Sequence, residues 1–336
     1  MKETPETLAA LGEFSVIREF FAPLHLPAAP GVITGIGDDA AVLAVPRTQQ
    51  LLATVDAMVE GIHFASGDDP FLVGQKALRV NLSDIAAMGG QPRWYLLSLG
   101  LPGETPTAWL AEFVRGLRVA GEDFGVQIVG GNTTGSTSGK SIHLTLFGLV
   151  GQGRALSRAG AVVGDRILVS GTIGDAALGL AVRQGRMRCD STEDRSYLEG
   201  RLDLPQPRIA LGLAVSDAAA VHAMIDVSDG LVADLGHLCQ ASGVGARVDV
   251  EKMPLSDAAR RLVTQDPSRL ALLLTGGEDY ELIVTAAEGA LEMVMTLARQ
   301  VGVALTDIGE ITASGAVEMM DQGAPIVLEQ SGWRHF

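Results

Sequence analysis

The sequence has little cysteine, few aromatic residues and no long apolar run. Its two cysteines, Cys189 and Cys239, lie far apart and form no CxxC pair, which argues against structural zinc and fits a reducing compartment. No run approaches the roughly 18 apolar residues that a membrane-spanning helix needs. Residues 1–6 have neither the basic region nor the apolar stretch of a signal peptide. We therefore expect a cytoplasmic protein.

Basic residues are in the minority. The 336-residue chain has 25 Lys and Arg against 40 Asp and Glu, a formal net charge of −15, which argues against a general nucleic-acid-binding surface. Its 47% hydrophobic and 19% charged residues describe a folded protein rather than a disordered one. The 41 glycines indicate many tight turns and close backbone approaches. An acidic protein of this kind can still bind phosphates where metal ions bridge the two.

The hydrophobic pattern predicts an α+β protein with two mixed α/β domains, residues 1–150 and 151–336. Residues 1–12 are predicted to be a loose lead-in, and the polar residues 185–201 an exposed excursion. The predicted helices are 13–21, 70–88, 107–124, 175–184, one that starts near Pro207, and 229–241. The predicted strands are 32–36, 41–45, 50–55, 94–101, 127–129, 141–150, 165–170, 224–226 and 281–285.

Residues 135–141, GSTSGKS, resemble a phosphate-binding P-loop with three residues between the glycines instead of four. A P-loop leads into a helix whose N-terminus faces the phosphates, whereas residues 142–146 alternate in hydrophobicity as a strand does. We interpret the segment as a hairpin turn. No GxGxxG sequence is followed by a helix either, so neither a P-loop nor a Rossmann dinucleotide site is predicted.

Acidic residues recur where apolar segments end or turn. Asp56 follows a predicted strand, Asp226 ends another, and Asp84 lies within an otherwise apolar helix, where Asp has poor propensity. Charge beside apolar runs is costly, and two carboxylates about 4 Å apart repel by roughly 4 kcal/mol at an effective dielectric constant near 20. If these groups converge they need cations, and their hard oxygen ligands favour magnesium, calcium or manganese over zinc.

Each of these residues, taken singly, also has a purely structural interpretation. Asp226, Ser228 and Asp229 lie between a strand and a helix and fit helix capping. The other structural alternatives are an Asx turn at Asp38 and Asp39, a turn at Asp56, a solvated helix face at Asp84, a surface histidine at His63, a solvated charge at Arg158 and a hairpin at Glu278 and Asp279. The single residues leave both interpretations open.

Ten segments, in order along the chain, resemble the thiamine-monophosphate kinase family, within the superfamily that also contains aminoimidazole ribonucleotide synthetase. The first five are GEFS at 12–15, GIGDDAA at 35–41, TVD at 54–56, GIHF at 61–64 and KALRVNLSDIAAMG at 76–89. The others are VGGNTT at 129–134, LSRAGA at 156–161, IDVSDGL at 225–231, GGEDYEL at 276–282 and GWRHF at 332–336. The matches cover nearly the whole chain, and their order is far more specific than any one segment.

The resemblance implies ATP-dependent phosphorylation of thiamine monophosphate to thiamine diphosphate. It implies a homodimer with an intersubunit β-barrel to which the N-terminal domain contributes, and a nucleotide held without a P-loop, by several magnesium ions, in a cleft between domains. The implied metal ligands are Asp39, Thr54, Asp56, Asp84, Asn132, Asp226 and Asp229, with Val55 acting through its backbone. The implied nucleotide contacts are Gly131, Asn132, Arg158 and Ser228, and the implied substrate contacts are His63, Glu278 and Trp333. No covalent nucleophile is expected, because phosphoryl transfer needs alignment and charge neutralisation.

Residue 132 departs from the family pattern, which commonly has Asp where this chain has Asn132. Asn keeps a carbonyl oxygen for a metal but removes one negative charge. We therefore expect one metal site to be weaker, or to depend more on the nucleotide phosphates. At Asp38 we expect only a turn-shaping role.

Sister families are the nearest alternatives. Selenophosphate synthetase-like proteins carry a reactive Cys or selenocysteine near the N-terminus, whereas the first cysteine here is Cys189. Hydrogenase-maturation relatives end in a functional Cys, whereas this sequence ends in His335-Phe336, and aminoimidazole ribonucleotide synthetase lacks support from the Trp-containing C-terminus. An alternative of a different class is a non-catalytic sensor of metal and nucleotide, which a turnover assay distinguishes.

Overall fold

The computed structural model describes residues 7–24, 30–328 and 330–333, and its chain divides into two compact units. The first unit comprises Met1–Ile85 and Gln91–Gly153, and the second comprises Ala86–Gly90 and Arg154–Phe336. Across the described part of the chain, no helix is both long and apolar enough to cross a membrane.

The first unit packs two long helices with a four-stranded sheet. Its helices are α1 (Leu8–Leu11), α2 (Glu13–Val16), α3 (Pro70–Ala87) and α4 (Thr107–Phe124), with a π-helical turn at Ile17–Phe21 and a 3-10 turn at Ala22–Leu24. Its strands are β1 (Val32–Thr34), β2 (Val42–Leu43), β3 (Gln49–Val59), β4 (Gln91–Leu101), β5 (Gln127–Gly135) and β6 (Ser141–Gly151). Helices α3 and α4 touch through glycine: a Cβ on Gly74 would lie 2.1 Å from the carbonyl oxygen of Phe113.

The main sheet of this unit has the order β3-β6-β4-β5, with β4 and β5 parallel and the other pairs antiparallel. β1 and β2 form a separate antiparallel pair. Side chains alternate between the two faces of a strand, so Thr54 and Asp56 share one face of β3 and Val55 lies on the other. The face of Thr54 and Asp56 is the one toward α3, because the Thr54 hydroxyl makes a hydrogen bond to Asp84 on that helix.

The second unit is built on a seven-stranded mixed sheet of order β13-β12-β9-β11-β7-β10-β8. Its strands are β7 (Arg166–Ser170), β8 (Val221–Asp226), β9 (Gly245–Asp249), β10 (Leu282–Ala286), β11 (Leu305–Thr312), β12 (Val317–Asp321) and β13 (Ala324–Ile326). Its helices are α5 (Asp175–Arg183), α6 (Thr192–Asp203), α7 (Ile209–Ser216), α8 (Leu231–Ser242), α9 (Asp257–Gln265), α10 (Arg269–Thr275) and α11 (Leu291–Gln300). Short 3-10 turns lie at Val250–Lys252 and Glu288–Ala290.

Two buried clusters hold the second unit together. In the first, Leu231, Leu235 and Leu238 on one face of α8 pack against strand residues such as Ile225 and Ile283. The second cluster joins α5, α6, α9 and α10 through residues that include Leu178, Leu198, Leu262 and Leu273. Burial of such a large apolar side chain contributes about 1.5–3 kcal/mol, so these clusters position the loops at the strand ends.

Most of the predicted helices and strands are confirmed, and the helix predicted at 107–124 has those bounds. Two predictions near the start of the chain are wrong. The predicted loose lead-in contains helix α1, although residues 1–6 lie outside the described residues. The strand predicted to end before Asp56 continues to Val59, because its pairing with β6 runs on to Ser141. Asp56 is therefore a mid-strand residue and not a turn residue.

The predicted exposed excursion at 185–201 is also wrong. Helix α6 starts inside it, capped by Ser191, whose hydroxyl accepts the N–H of Asp194 at 3.1 Å. Leu198 and Leu202 are buried, so one face of the helix packs on the hydrophobic core. Its many charged residues lie mostly on the other faces. The local polarity of the segment hid this face, because its buried positions are Asp194, Leu198 and Leu202, of which only two are apolar.

The hairpin predicted at 135–141 is wrong as well, since β4 lies between β5 and β6 in the sheet. The segment leads into a strand, as predicted, and not into a P-loop helix. Its lysine, Lys140, donates to Glu60 Oε1 at 2.8 Å, and both side chains are largely buried. The hairpin alternative for Glu278 and Asp279 fails too, because helix α10 and not a strand precedes them.

Candidate active site

Three of the predicted ligands of the first unit meet between β3 and α3. The Thr54 hydroxyl donates to Asp84 Oδ2 at 2.5 Å, and the backbone N–H of Asp56 donates to Asn81 Oδ1 at 3.1 Å. Asn81 and Asp84 are three residues apart and therefore lie on one face of the helix. Thr54, Asp56 and Asp84 are all partly buried, so the structure brings together an oxygen-rich group.

His63 lies just beyond the end of β3, where its ring is tied to the strand. Its Nδ1 is 3.0 Å from the backbone nitrogen of Val59 and accepts that N–H. A neutral imidazole that accepts at Nδ1 carries its proton on Nε2. The surface-histidine alternative therefore does not describe His63, which is partly buried and held by the backbone.

Other predicted residues of the first unit line a cavity of about 900 Å³ on the opposite side of its sheet. Asp39, Gly131 and Asn132 contribute to its wall, and Asn132 is next to Ser98 in the sheet. A Cβ on Gly131 would lie 2.0 Å from the carbonyl oxygen of Leu97, so only glycine lets β4 and β5 approach here. Asp38 Oδ1 accepts the N–H of Asp39 at 2.8 Å, in agreement with its predicted turn-shaping role.

Val55 belongs to the cavity side of the sheet and not to the α3 side. Val55 is paired with Thr145, which lines the cavity. Val55 itself is 61% exposed. The predicted ligands of this unit thus fall into two groups. Asp39 and Asn132 line the cavity, whereas Thr54 and Asp56 face α3 and Asp84 lies on that helix.

The second unit brings the segment at 226–229 together with the segment at 276–281. Backbone N–H groups of Glu278 and Tyr280 donate to the carbonyl oxygens of Ser228 and Val227, both at 2.8 Å. A Cβ on Gly277 would lie 2.3 Å from the Ser228 oxygen, so this contact also needs glycine. Glu278 and Tyr280 have positive φ angles of 74° and 52°, an unusual backbone conformation for residues other than glycine.

Trp333, the predicted substrate residue, is bonded directly to this turn, whereas Arg158, the predicted nucleotide residue, lies beside strand β8. The N–H of Trp333 donates to the Asp229 carbonyl at 2.9 Å, and its side chain is 57% exposed. Arg158 is exposed, and its carbonyl accepts the Ser242 hydroxyl at 3.0 Å. The preceding residue, Ser157, accepts the N–H of Met224 on β8, which places the segment of Arg158 beside that strand.

Helix capping by Ser228 or Asp229 is not what the structure shows. The N-cap of α8 is Gly230, and the N–H groups of residues 228, 229 and 230 all donate to Asp234 Oδ2, at 3.0, 3.0 and 3.1 Å. Burial raises the pKa of Asp234 to about 7, against the lowering by those N–H groups, and the nearby Asp229 raises it further. The sequence prediction missed Asp234, although an acidic residue in the first turn of a helix is a recognisable signal.

Asp229 also belongs to a group of potential metal ligands. Ligand atoms of Asp229, Asp234 and His237 lie within 4.8 Å of one another. Oxygen donors fit Mg²⁺, whereas an imidazole nitrogen is a poor ligand for it, and Asp234 Oδ2 already accepts three N–H groups. Asp229 is therefore the member of this group that best fits a hard cation. Asp226, buried at the end of β8, adds a second carboxylate nearby in the sequence.

Two further carboxylates, Asp279 and Glu281, to which the sequence analysis gave no site role, anchor the segment of Glu278. Asp279 accepts the N–H groups of Gly174 and Ala176 at 2.6 and 3.2 Å, and burial raises its pKa to about 8. Glu281 is fully buried and accepts hydrogen bonds from Ser170, Arg201 and Arg208. Two acidic residues directly before an apolar strand were the available signal.

Family comparisons agree with this architecture. The AIR synthase related protein N-terminal domain matches residues 37–150, and the corresponding C-terminal domain matches residues 162–322. The chain is 44% identical to thiamine-monophosphate kinase from Salmonella typhimurium, over 97% of this chain and 99% of that protein. The two units are thus AIR synthase-type α/β domains with mixed sheets.

Solved structures give the same result. The thiamine-monophosphate kinase from Stenotrophomonas maltophilia has a TM-score of 0.82 and 39% identity, covering 93% of this chain and 98% of its own. AaThiL, complexed with AMPPCP and TMP, has a TM-score of 0.76 and 32% identity, with all of both chains covered. The chain belongs to the thiamine-monophosphate kinase family, within the AIR synthase-related proteins.

Proposed function

We propose that this protein phosphorylates thiamine monophosphate to thiamine diphosphate with ATP, the last step of thiamine diphosphate biosynthesis, by direct in-line transfer assisted by several magnesium ions. The observation that carries the proposal is the similarity to thiamine-monophosphate kinases along almost the entire chain. The AaThiL complex with AMPPCP and TMP, which covers all of this chain, supports ATP as the co-substrate.

In the first unit, we assign the metal-binding role to Asp39, Thr54, Asp56, Asp84 and Asn132, with Val55 acting through its carbonyl group. The partly buried oxygen group around the Thr54–Asp84 bond supports the assignment of Thr54, Asp56 and Asp84, because hard oxygen donors at a partly buried position suit Mg²⁺. For Asp39, Val55 and Asn132 the assignment rests on the family resemblance. Gly131 and Asn132 are proposed to contact the nucleotide from the wall of the cavity. His63, held by the N–H of Val59, is proposed to contact thiamine monophosphate.

In the second unit, we assign Asp226 and Asp229 to metal, Ser228 and Arg158 to the nucleotide, and Glu278 to the substrate. The backbone bonds from Glu278 and Tyr280 to Ser228 and Val227 support this set, because they hold the segment of Glu278 against the turn that carries Ser228 and Asp229. Trp333, joined to Asp229 by its N–H, is proposed as a further substrate contact. The predicted nucleotide cleft between the two domains stays a prediction.

The chemistry explains why carboxylates dominate this set. Donor and acceptor phosphates are both anionic, so their approach needs neutralisation more than it needs a covalent catalyst. Bound magnesium would supply that neutralisation and would align the two phosphates. The protein's own part is to hold the ligands rigidly, which the paired segments of the second unit and the α3 contacts of the first unit do. No phosphorylated side chain is required.

We also propose a homodimer in which β3 contributes to an intersubunit β-barrel. In the described residues β3 pairs with β6 alone, so its other edge carries no partner strand. Leu51 and Val55 on this strand are 46% and 61% exposed. A long edge strand with exposed apolar side chains is a surface that a second copy would cover. A cytoplasmic location fits two cysteines that are both free and buried.

A turnover assay tests the function. The protein is incubated with ATP, Mg²⁺ and thiamine monophosphate, and thiamine diphosphate and ADP are measured; we expect them in equal amounts. Binding of Mg·AMPPCP without product would instead identify a nucleotide sensor. A second assay with γ-labelled ATP and no acceptor tests the in-line step. Labelled protein that transfers its phosphate when thiamine monophosphate is added would exclude direct transfer.

A further inference from the structure

The turn that carries Ser228 and Asp229 is held by a single carboxylate oxygen. Oδ2 of Asp234 accepts the N–H groups of Ser228, Asp229 and Gly230 at 3.0, 3.0 and 3.1 Å. Asp234 lies in the first turn of α8 and is 3% exposed. Three consecutive backbone donors thus converge on one buried acceptor supplied by the same chain.

Converging backbone N–H groups at a helix N-terminus form a concave site for an anion, and P-loops use such a site for phosphate. In this protein the acceptor at that position is the side chain of Asp234. The N–H groups of residues 228 to 230 are therefore committed to an internal partner and do not serve a nucleotide phosphate. The other phosphate-loop candidate, residues 135–141, leads into a strand and therefore does not form a P-loop either.

The carbonyl groups of the same turn are fixed from the other side. The oxygens of Val227, Ser228 and Asp229 accept the N–H groups of Tyr280, Glu278 and Trp333 at 2.8 to 2.9 Å. With donors bound by Asp234 and acceptors bound by the second segment, the peptide planes have little freedom. The side chains of Ser228 and Asp229 are both partly exposed beside this fixed backbone.

We propose that Asp234 is a positioning residue for catalysis: it replaces the phosphate that such a turn would otherwise bind, and it thereby sets the orientation of Ser228 and Asp229. The inference rests on the nucleotide and metal roles proposed for those two residues. Asp234 acts as a hydrogen-bond acceptor toward the backbone and does not itself bind the metal. An acceptor supplied from solution can therefore replace it.

Asp234→Ala with chemical rescue tests the proposal. The affinity for Mg·AMPPCP is measured by calorimetry, with the fold checked by circular dichroism. We expect Asp234→Ala to weaken binding about 10- to 100-fold, as loss of an outer partner of a metal ligand does, and to raise KM for ATP more than it lowers kcat. Formate, which fits the space of the lost carboxylate, should restore binding, whereas chloride at the same ionic strength should not.

Asp234→Asn is the matched variant, since it keeps an oxygen acceptor without the charge. We expect its affinity for Mg·AMPPCP to lie within about fivefold of wild type, because neutral hydrogen bonds are weaker than charge-assisted ones but keep the geometry. This variant decides the question even if Asp234→Ala does not fold. The proposal is overturned if folded Asp234→Asn binds Mg·AMPPCP as weakly as a variant that lacks a metal ligand. It is also overturned if folded Asp234→Ala binds Mg·AMPPCP with wild-type affinity. Turnover by wild-type protein separately establishes the kinase function.

Discussion

Thr54 Oγ1 donates a hydrogen bond to Asp84 Oδ2 over 2.5 Å and so joins the middle of strand β3 to helix α3. Asp84 lies between buried residues, with Ser83 and Ile85 on either side of it in the helix. A carboxylate at such a position is costly without partners. The bond to Thr54 supplies one partner, and we propose that a metal ion supplies compensating charge during catalysis.

Replacing Asp84 by Asn should therefore damage activity much more than stability. We expect kcat/KM to fall by at least about 100-fold, since a lost metal ligand removes several kcal/mol of charge stabilisation. The free energy of unfolding without metal should change by no more than about 1.5 kcal/mol, because Asn can still accept the Thr54 hydroxyl. Thr54→Val is the comparison that keeps the carboxylate. Loss of activity only in proportion to unfolded protein would favour a structural role for Asp84.

The missing charge at Asn132 can be restored. Asn132→Asp should lower the Mg²⁺ concentration needed for half-maximal activity, because a carboxylate attracts a hard cation more strongly than an amide does. The matched control is Thr134→Asp, two residues further along β5, which adds the same charge outside the lining of the cavity. Equal shifts in the two variants would mean that overall charge, and not a site at Asn132, controls metal affinity.

Gly131 and Gly135 lie on the same strand but in different surroundings. A Cβ at Gly131 would lie 2.0 Å from the Leu97 oxygen, whereas one at Gly135 would meet nothing within 4 Å. We expect Gly131→Ala to lower the free energy of unfolding by about 1–3 kcal/mol through overpacking and to weaken Mg·AMPPCP binding. Gly135→Ala should leave both quantities near wild type. Urea unfolding and calorimetry measure them, and equal behaviour of the two variants would contradict the close β4–β5 contact.

The pair of Glu60 and Lys140 should make stability depend on pH. The hydrogen bond from Lys140 lowers the pKa of Glu60 below its usual 4.5. A lowered folded-state pKa contributes stability above the unfolded value, and this contribution disappears as pH falls through the folded value. Lys140→Met should therefore cost about 1–2 kcal/mol at pH 7 and progressively less below pH 4.5, in urea unfolding at each pH. A cost that does not change with pH would show that Lys140 acts through packing alone.

Glu281 should be a strong determinant of stability. Its side chain is fully buried and accepts from Ser170, Arg201 and Arg208. Glu281→Gln removes the carboxylate that Arg201 and Arg208 share and leaves Arg201 only the longer contact with Asp175, at 4.0 Å, which we expect to cost about 3–5 kcal/mol of unfolding free energy. Arg188→Ala, which breaks the exposed pair with Asp190, should have no measurable effect. If Glu281→Gln leaves the free energy of unfolding in urea almost unchanged, the ion pairs of Glu281 with Arg201 and Arg208 do not stabilise the fold.

Much of the fold was predictable because its signals are local. Helix 107–124 has a regular apolar face, and strand β8 ends where an apolar run meets Asp226. Helix α6 was not predictable, since Leu198 and Leu202 are its only buried apolar residues among charged ones, and the role of Leu198 becomes recognisable only when α5 and α9 cover it. The end of β3 was missed for a similar reason: its length depends on the pairing with β6.

The sequence by itself determined the family, the two-domain composition and the order of the acidic segments, because motifs and apolar periodicity are properties of the chain alone. Only the tertiary structure decided which of those residues meet. It placed Thr54 and Asp56 on one face of the sheet and Val55 on the other, and it showed Asp234 accepting the N–H groups of the turn that precedes α8. The physical reason is that strand register and converging hydrogen bonds join residues distant in sequence, so no local pattern contains them.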